Sequence, residues 1–164
     1  MQTDHNEHSS PTYVEISSEG VAPPPWAPAM AAFAEKVLER LSIRGVELSL
    51  LLCDDGTMQR LNREYRNVDT PTDVLSFGQE GSVIPGEGGP DFLGDLVIDL
   101  PYVRRQAEEV GVTEEEELRR MVVHGILHLT GEEHGKETME TKERSPMLAR
   151  QEEILSELGK EQLF

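Results

Sequence analysis

A single cysteine, a single tryptophan and only four lysines in 164 residues narrow what this chain can be. One cysteine cannot close an internal disulfide, and it rules out a thiolate-rich structural metal cluster. Cys53 ends the apolar run Leu50-Leu51-Leu52-Cys53 and reads as an ordinary buried thiol. No stretch approaches the ~18 consecutive apolar residues that a membrane helix needs. The first ten residues have neither the basic nor the apolar region of a signal peptide. The expectation is a soluble, cytoplasmic protein without a membrane partner. Basic residues are also scarce, 15 Lys and Arg against 32 Asp and Glu, for a formal charge of −17. A coat that grips nucleic acid through a broad basic surface is thereby excluded, so any phosphate contact has to be local. Arginine outnumbers lysine eleven to four, a balance that resembles proteins adapted to high salt.

What is present is periodic. Hydrophobic residues make up only 37% of the chain, but they cluster in segments with a clear repeat. The length fits one domain. Residues 1–11 are polar and aperiodic, and read as a flexible tail in which His5 and His8 are solvated. Residues 12–164 then form the domain. Alternation at 13–16 predicts a first strand, and Pro23-Pro24-Pro25 an extended turn. Met30, Phe33, Ala34, Val37, Leu38 and Leu41 recur at three and four, which predicts a helix running toward a stop at Gly45. Residues 46–53 read as a central strand. A helix over 55–66, capped by Asp54 or Asp55, ends ahead of Asp69-Thr70-Pro71. Short strands are expected at 73–77 and 92–100, joined by a Gly- and Pro-rich loop. Helices are expected at 102–110, at 113–130 with Thr113 as N-cap, and at 147–158. In the second of these, the acidic run of residues 114–117 lies at the positive end of the helix dipole and reads as helix electrostatics. Strands and helices that do not alternate strictly point to an α+β fold, a mixed sheet of about four strands packed by helices, one of them a zincin-like metal helix. Strand order is not readable from the pattern.

The segment His124-Gly125-Ile126-Leu127-His128-Leu129-Thr130-Gly131-Glu132-Glu133-His134 carries the chemistry. Residues four apart on a helix share a face about 6 Å apart along the axis, so two imidazoles can meet one ion. Gly131 ends the helix, and a backbone that reverses there can return His134 as a third ligand. Three neutral imidazoles suit one Zn²⁺ per chain and leave a fourth position open, the arrangement of catalytic sites. The competing reading is a pair of polar groups at the edge of a core. The third histidine, just beyond a glycine stop, weighs against it.

The spacing equals the metzincin protease motif H-E-x-x-H-x-x-G-x-x-H, with Gly125 standing where the protease has its glutamate base. A glycine cannot take a proton, so peptide hydrolysis would need a base from elsewhere, for example Glu133.

The same segment resembles the H-G-x-L-H-L-x-G-x-x-H motif of the YbeY-type endoribonucleases. Further matches are Leu61-Asn62-Arg63-Glu64-Tyr65-Arg66, then Asp69 with Pro71-Thr72-Asp73-Val74-Leu75-Ser76-Phe77, and Leu93-Gly94-Asp95-Leu96-Val97-Ile98. The likeness spans about residues 46–158. It implies a zinc-dependent single-strand endoribonuclease acting in ribosomal RNA maturation and ribosome quality control. The implied partners are RNA and small ribosomal subunit components, with no DNA. It further implies His124, His128 and His134 as metal ligands and Arg66 as the catalytic cation facing the substrate phosphate, with Asp95 also matching. The departures are Glu132-Glu133, where the family usually has Asp before the third histidine, and Gly78, where it often has Pro. The chemistry is coherent in its own right: zinc polarises a phosphoryl oxygen, and an arginine offers a planar fork to the non-bridging oxygens. A hydroxide generated at the metal and the RNA 2′-hydroxyl stay open as nucleophiles. Arg66 also has a plain reading, a solvated charge on the helix that bears Arg60 and Arg63. Three classes therefore stand together: a phosphodiesterase for RNA, a metalloprotease, and a metal-stabilised ribosome assembly factor that does not cut.

Overall fold

In the computed structural model, which describes residues 11–78, 91–131 and 146–158, the first alternating segment forms strand β1 (Tyr13–Glu19), three residues longer than its apolar alternation. Helix α1 (Ala27–Arg40) follows, burying Met30, Phe33, Ala34, Val37 and Leu38 at the expected spacing. It stops before Gly45. Leu41 caps it and Ser42 takes a positive φ of 62°, so the reversal happens at a serine, with Gly45 (φ 72°) left to enter the next strand. Strand β2 (Glu47–Cys53) is buried at six of its seven positions, as befits a strand with neighbours on both edges and helices on both faces.

Asp54 begins helix α2 (Asp55–Arg66) by accepting a hydrogen bond from the Thr57 amide at 3.0 Å, and Asn67 closes it in the left-handed region. Strand β3 (Val74–Gly78) and strand β4 (Phe92–Asp99) complete the sheet. Helix α3 (Leu100–Val110) starts two residues earlier than its hydrophobic period predicts. The Asp99 carboxylate accepts from the Tyr102 amide, and Pro101 sits in the first turn, where its missing N–H costs nothing. Helix α4 (Glu114–Leu129) opens with a capping box between Thr113 and Glu116. Helix α5 (Pro146–Leu158) is the last among the described residues.

The strand order is β1-β2-β4-β3, with β1, β2 and β4 parallel and β3 antiparallel to β4. This is the mixed four-stranded α+β sheet that the pattern led us to expect. One sheet face presents Leu48, Leu50, Leu52, Leu96 and Ile98 to α1, α4 and α5. The other presents Leu51, Cys53, Leu75, Phe77 and Val97 to Met58 and Leu61 of α2. Each fully buried Leu or Ile contributes roughly 1.5–3 kcal/mol, so the first, larger cluster carries most of the stability. Cys53 is completely buried, and burial, with Asp99 and Asp54 nearby, pushes its thiol up to about 12. An inert structural thiol is the result, as its apolar run implied. Among the described residues no helix is long and apolar enough to cross a membrane.

Candidate active site

Helix α4 is the beam on which the site is built. Leu118, Val122, Val123, Ile126 and Leu127 are fully buried, and the helix packs on β3, β4, α1, α3 and α5. Its one partly open face carries Arg120, His124 and His128, successive at four residues. The two imidazoles stand side by side, ring centroids 4.7 Å apart and planes at 63°. Gly125, between them, is set by packing. A Cβ there would lie 2.5 Å from Cδ2 of the buried Leu96, so any larger residue has to displace that side chain where β4 and α4 meet. That contact disfavours the protease glutamate at this position.

After Leu129 the helix ends at Thr130, whose amide donates to the Ile126 carbonyl, and Gly131 turns into the left-handed region at φ 91°. The helix therefore does end at the expected glycine stop. His134 and Glu133 lie outside the described residues, as do His5, His8 and most of the loop between β3 and β4. Among the described residues, no three His, Cys, Asp or Glu side chains gather as a complete ligand set. His124 and His128 nonetheless fit two of the three expected ligands. They are adjacent, partly buried and open to one pocket.

That pocket has a volume of about 560 Å³ and is bounded by α4, β3, the C-terminal end of α2 and α5. Arg66 lines it with the two histidines. The three arginines of α2 behave differently. Arg60 pairs with Glu19 and Glu64, and Arg63 with Asp69. Arg66 instead donates to the Ser76 carbonyl at 2.8 Å and the Tyr65 carbonyl at 3.2 Å, with its guanidinium 4.5 Å from the centre of the Phe77 ring. Tyr65 meets the same ring edge-on. Among the described residues no carboxylate neutralises the exposed Arg66, which sets it apart from the salt-bridged Arg60 and Arg63.

Sequence reasoning missed three lining residues. Arg120 is one turn before His124 and pairs with Glu152 of α5 at 2.5 Å; the helical period that linked the histidines would have found it. Asp73 lies within a segment singled out for other reasons. Its carboxylate accepts from the Val74 amide at 2.7 Å, the Thr72 hydroxyl at 3.3 Å and the Gln106 amide at 3.1 Å, and Gln106 reaches on to Glu117 at 2.6 Å. Gln151 of α5 had no local signal. It is 27 residues from His124, yet its Oε1 lies 2.8 Å from His124 Nδ1. Asp95 is fully buried in β4, paired in register with Ser49 and Phe77, and does not line the pocket.

The acidic run serves the helix. Glu116 closes the capping box, Glu114 pairs with Arg104 and Glu115 with Arg119, and the buried Glu117 receives Gln106. Asp99, also outside the pocket, has a displaced proton affinity. Burial and the neighbouring Asp55 carboxyl push it up to about 7, while Asp55 is held low by Asp99 and by Arg105.

Comparison with known proteins finds relatives over most of the chain. The family model described as Endoribonuclease YbeY matches residues 18–159. The Endoribonuclease YbeY of Treponema pallidum subsp. pallidum is 41% identical over 149 residues, covering 87% of this chain and 92% of that protein. The Endoribonuclease YbeY of Persephonella marina is 44% identical over 124 residues, with 76% and 78% covered. Among solved structures, the solution structure of TM1509 from Thermotoga maritima superposes with a TM-score of 0.55 at 27% identity, over 88% of this chain and 90% of that one.

Proposed function

The chain belongs to the YbeY endoribonuclease family, and from that premise we propose that it cuts single-stranded RNA in the pocket lined by His124, His128 and Arg66, with one zinc ion per chain held by His124, His128 and His134. The observation that carries this reading is convergence. Two adjacent imidazoles on α4 and an arginine on α2 with no carboxylate partner among the described residues open onto one pocket of about 560 Å³. Zinc, when bound, supplies a Lewis acid for a phosphoryl oxygen and makes a bound water more acidic.

The chain supplies the rest. Arg66 is fixed by the Ser76 carbonyl and the Phe77 ring before substrate arrives, so its planar fork meets the non-bridging oxygens without first being ordered. Arg120 also lines the pocket, but Glu152 balances its charge. In a protein of charge −17 most of the surface repels a polyanion, and Arg66 offsets that field where the phosphate has to sit. Asp73 also faces the pocket, but its oxygens already accept from Val74, Thr72 and Gln106. It holds β3 and α3 together and is not poised as a base.

The protease alternative loses support at Gly125, where Leu96 occupies the space a glutamate needs. A metal-stabilised factor that does not cut would also use the two histidines, and loss of cleavage with retained RNA binding in His124→Ala separates it from the nuclease. Incubating the purified, metal-loaded protein with single-stranded RNA and with casein side by side tests the reading. Cleavage of RNA and intact casein are expected; intact RNA, or robust casein hydrolysis, contradicts it. The setting we infer is ribosomal RNA maturation and ribosome quality control in the cytoplasm, acting on small-subunit RNA. Cells depleted of the protein should accumulate unprocessed ribosomal RNA ends, and unchanged ends would argue for another RNA.

A further inference from the structure

A glutamine in a buried helix stripe calls for an explanation, because an amide removed from water costs free energy unless its hydrogen bonds are replaced. Along α5 the buried positions are Met147, Gln151 and Ile154. The two apolar residues join the main core, whereas Gln151, only 5% exposed, lines the pocket and meets His124. Its Oε1 is 2.8 Å from Nδ1 of that ring. We propose that Gln151 is the positioning residue for His124. Its side-chain carbonyl accepts the Nδ1–H hydrogen bond and holds the imidazole in the tautomer whose Nε2 carries the lone pair for a metal. The proposal rests on the metal reading given above.

The chemistry distinguishes this from simple packing. A neutral imidazole has one N–H and one lone pair, and the partner of one nitrogen decides the role of the other. An acceptor at Nδ1 makes Nε2 the ligand nitrogen, fixes the ring plane and raises its basicity toward the ion. The opposite orientation of the Gln151 amide, with its NH₂ donating to Nδ1, would put the ring proton on Nε2 and spoil the ligand. The position of Gln151, as distinct from its amide orientation, has a structural support. Helix α5 is held against α4 by Arg120–Glu152 and against α1 by Arg40–Glu157, so Gln151 arrives on a docked element. The C-terminal helix is thus part of the metal site although none of its residues is a ligand.

Two measurements test this. In the metal-free wild type, at a pH where the ring is neutral, long-range ¹H–¹⁵N correlation spectra should show His124 as the Nδ1–H tautomer; the Nε2–H tautomer overturns the proposal. Zinc affinity by chelator competition should then fall about 10–100-fold for Gln151→Met, which keeps length and loses the acceptor. Gln151→Glu, which can only accept, should bind close to wild type. Gln151→Met binding zinc as tightly as wild type, or Gln151→Glu losing as much as Met, refutes the assignment while leaving the metal reading intact. A wild type that takes up no zinc at all removes both.

Discussion

His124 and His128 stand on a helix packed against two strands and three other helices, whereas Arg66 stands at the exposed end of the twelve-residue α2, steadied by two carbonyls and one ring face. The two walls of the pocket thus differ in what holds them. The histidine wall is fixed by the main core and by a glycine that admits β4 within van der Waals reach. The arginine wall is fixed by contacts that one side chain makes for itself. A ligand set must be rigid to select coordination geometry, and burial provides that. A phosphate-facing cation has to stay accessible, and a cation–π contact with a carbonyl bond orients it without neutralising it. Changes on the two walls should therefore separate: the first should remove metal, the second should remove rate.

The largest effect is expected from His128→Ala, which leaves two ligands and should weaken zinc binding by orders of magnitude with little change in the metal-free fold, since the side chain is only partly buried. Elemental analysis showing equal metal in both proteins would take this wall out of the metal reading. On the other wall, Arg66→Lys keeps the charge but loses the fork, and should cut RNA about 10²-fold more slowly, with Arg66→Glu slower still. The Ser76 and Phe77 contacts add a structural part, about 1 kcal/mol of stability, that both variants should lose. Urea midpoints measured beside the rates would separate the two losses.

A smaller effect is expected beneath the histidine wall. In Gly125→Ala the new methyl meets Leu96, and overpacking of this kind costs about 1–3 kcal/mol. Gly125→Glu should be less stable still and gain no peptidase activity; a stable variant that hydrolyses casein would reverse the view of that glycine.

The smallest effect lies outside both walls, at Asp99. Its carboxyl is pushed up to about 7 by burial and by Asp55, above its unfolded value of about 4. The folded state therefore binds the extra proton. The associated stability is present below the unfolded value and lost as pH rises through about 7. Asp55, held low, contributes with the opposite sign and only in more acidic solution. Between about pH 4 and 7, then, Asp99→Asn should flatten the fall in melting temperature while keeping the α3 cap, because Asn still accepts from Tyr102. An unchanged slope would mean that Asp99 ionises freely in the folded protein.

How much could be read beforehand follows the same division. The strands, the helices and the His124 and His128 face were legible because burial writes a period of two or 3.6 into the chain. The stop of α1 at Leu41 was misplaced toward Gly45 because Ser42 accepts a positive φ that glycine usually supplies. The early start of α3 was hidden because its cap, Asp99, ends an apolar strand and its first turn is Leu100-Pro101. Strand order was invisible, since pairing between β2 and β4 depends on contacts across the whole sheet. Arg66 was singled out by a family motif; nothing in its own neighbourhood told it apart from Arg60 and Arg63, because the difference lies in Ser76 and Phe77 on strand β3. Gln151 was out of reach for the same reason, its partner being 27 residues away.

The claim that the pocket has one wall for metal and one for phosphate is tested most directly by assaying zinc content and single-strand RNA cleavage on one preparation of Arg66→Glu. Wild-type zinc content with cleavage reduced by more than about 10²-fold is the predicted result. Cleavage at the wild-type rate would contradict it and return Arg66 to the class of surface charges.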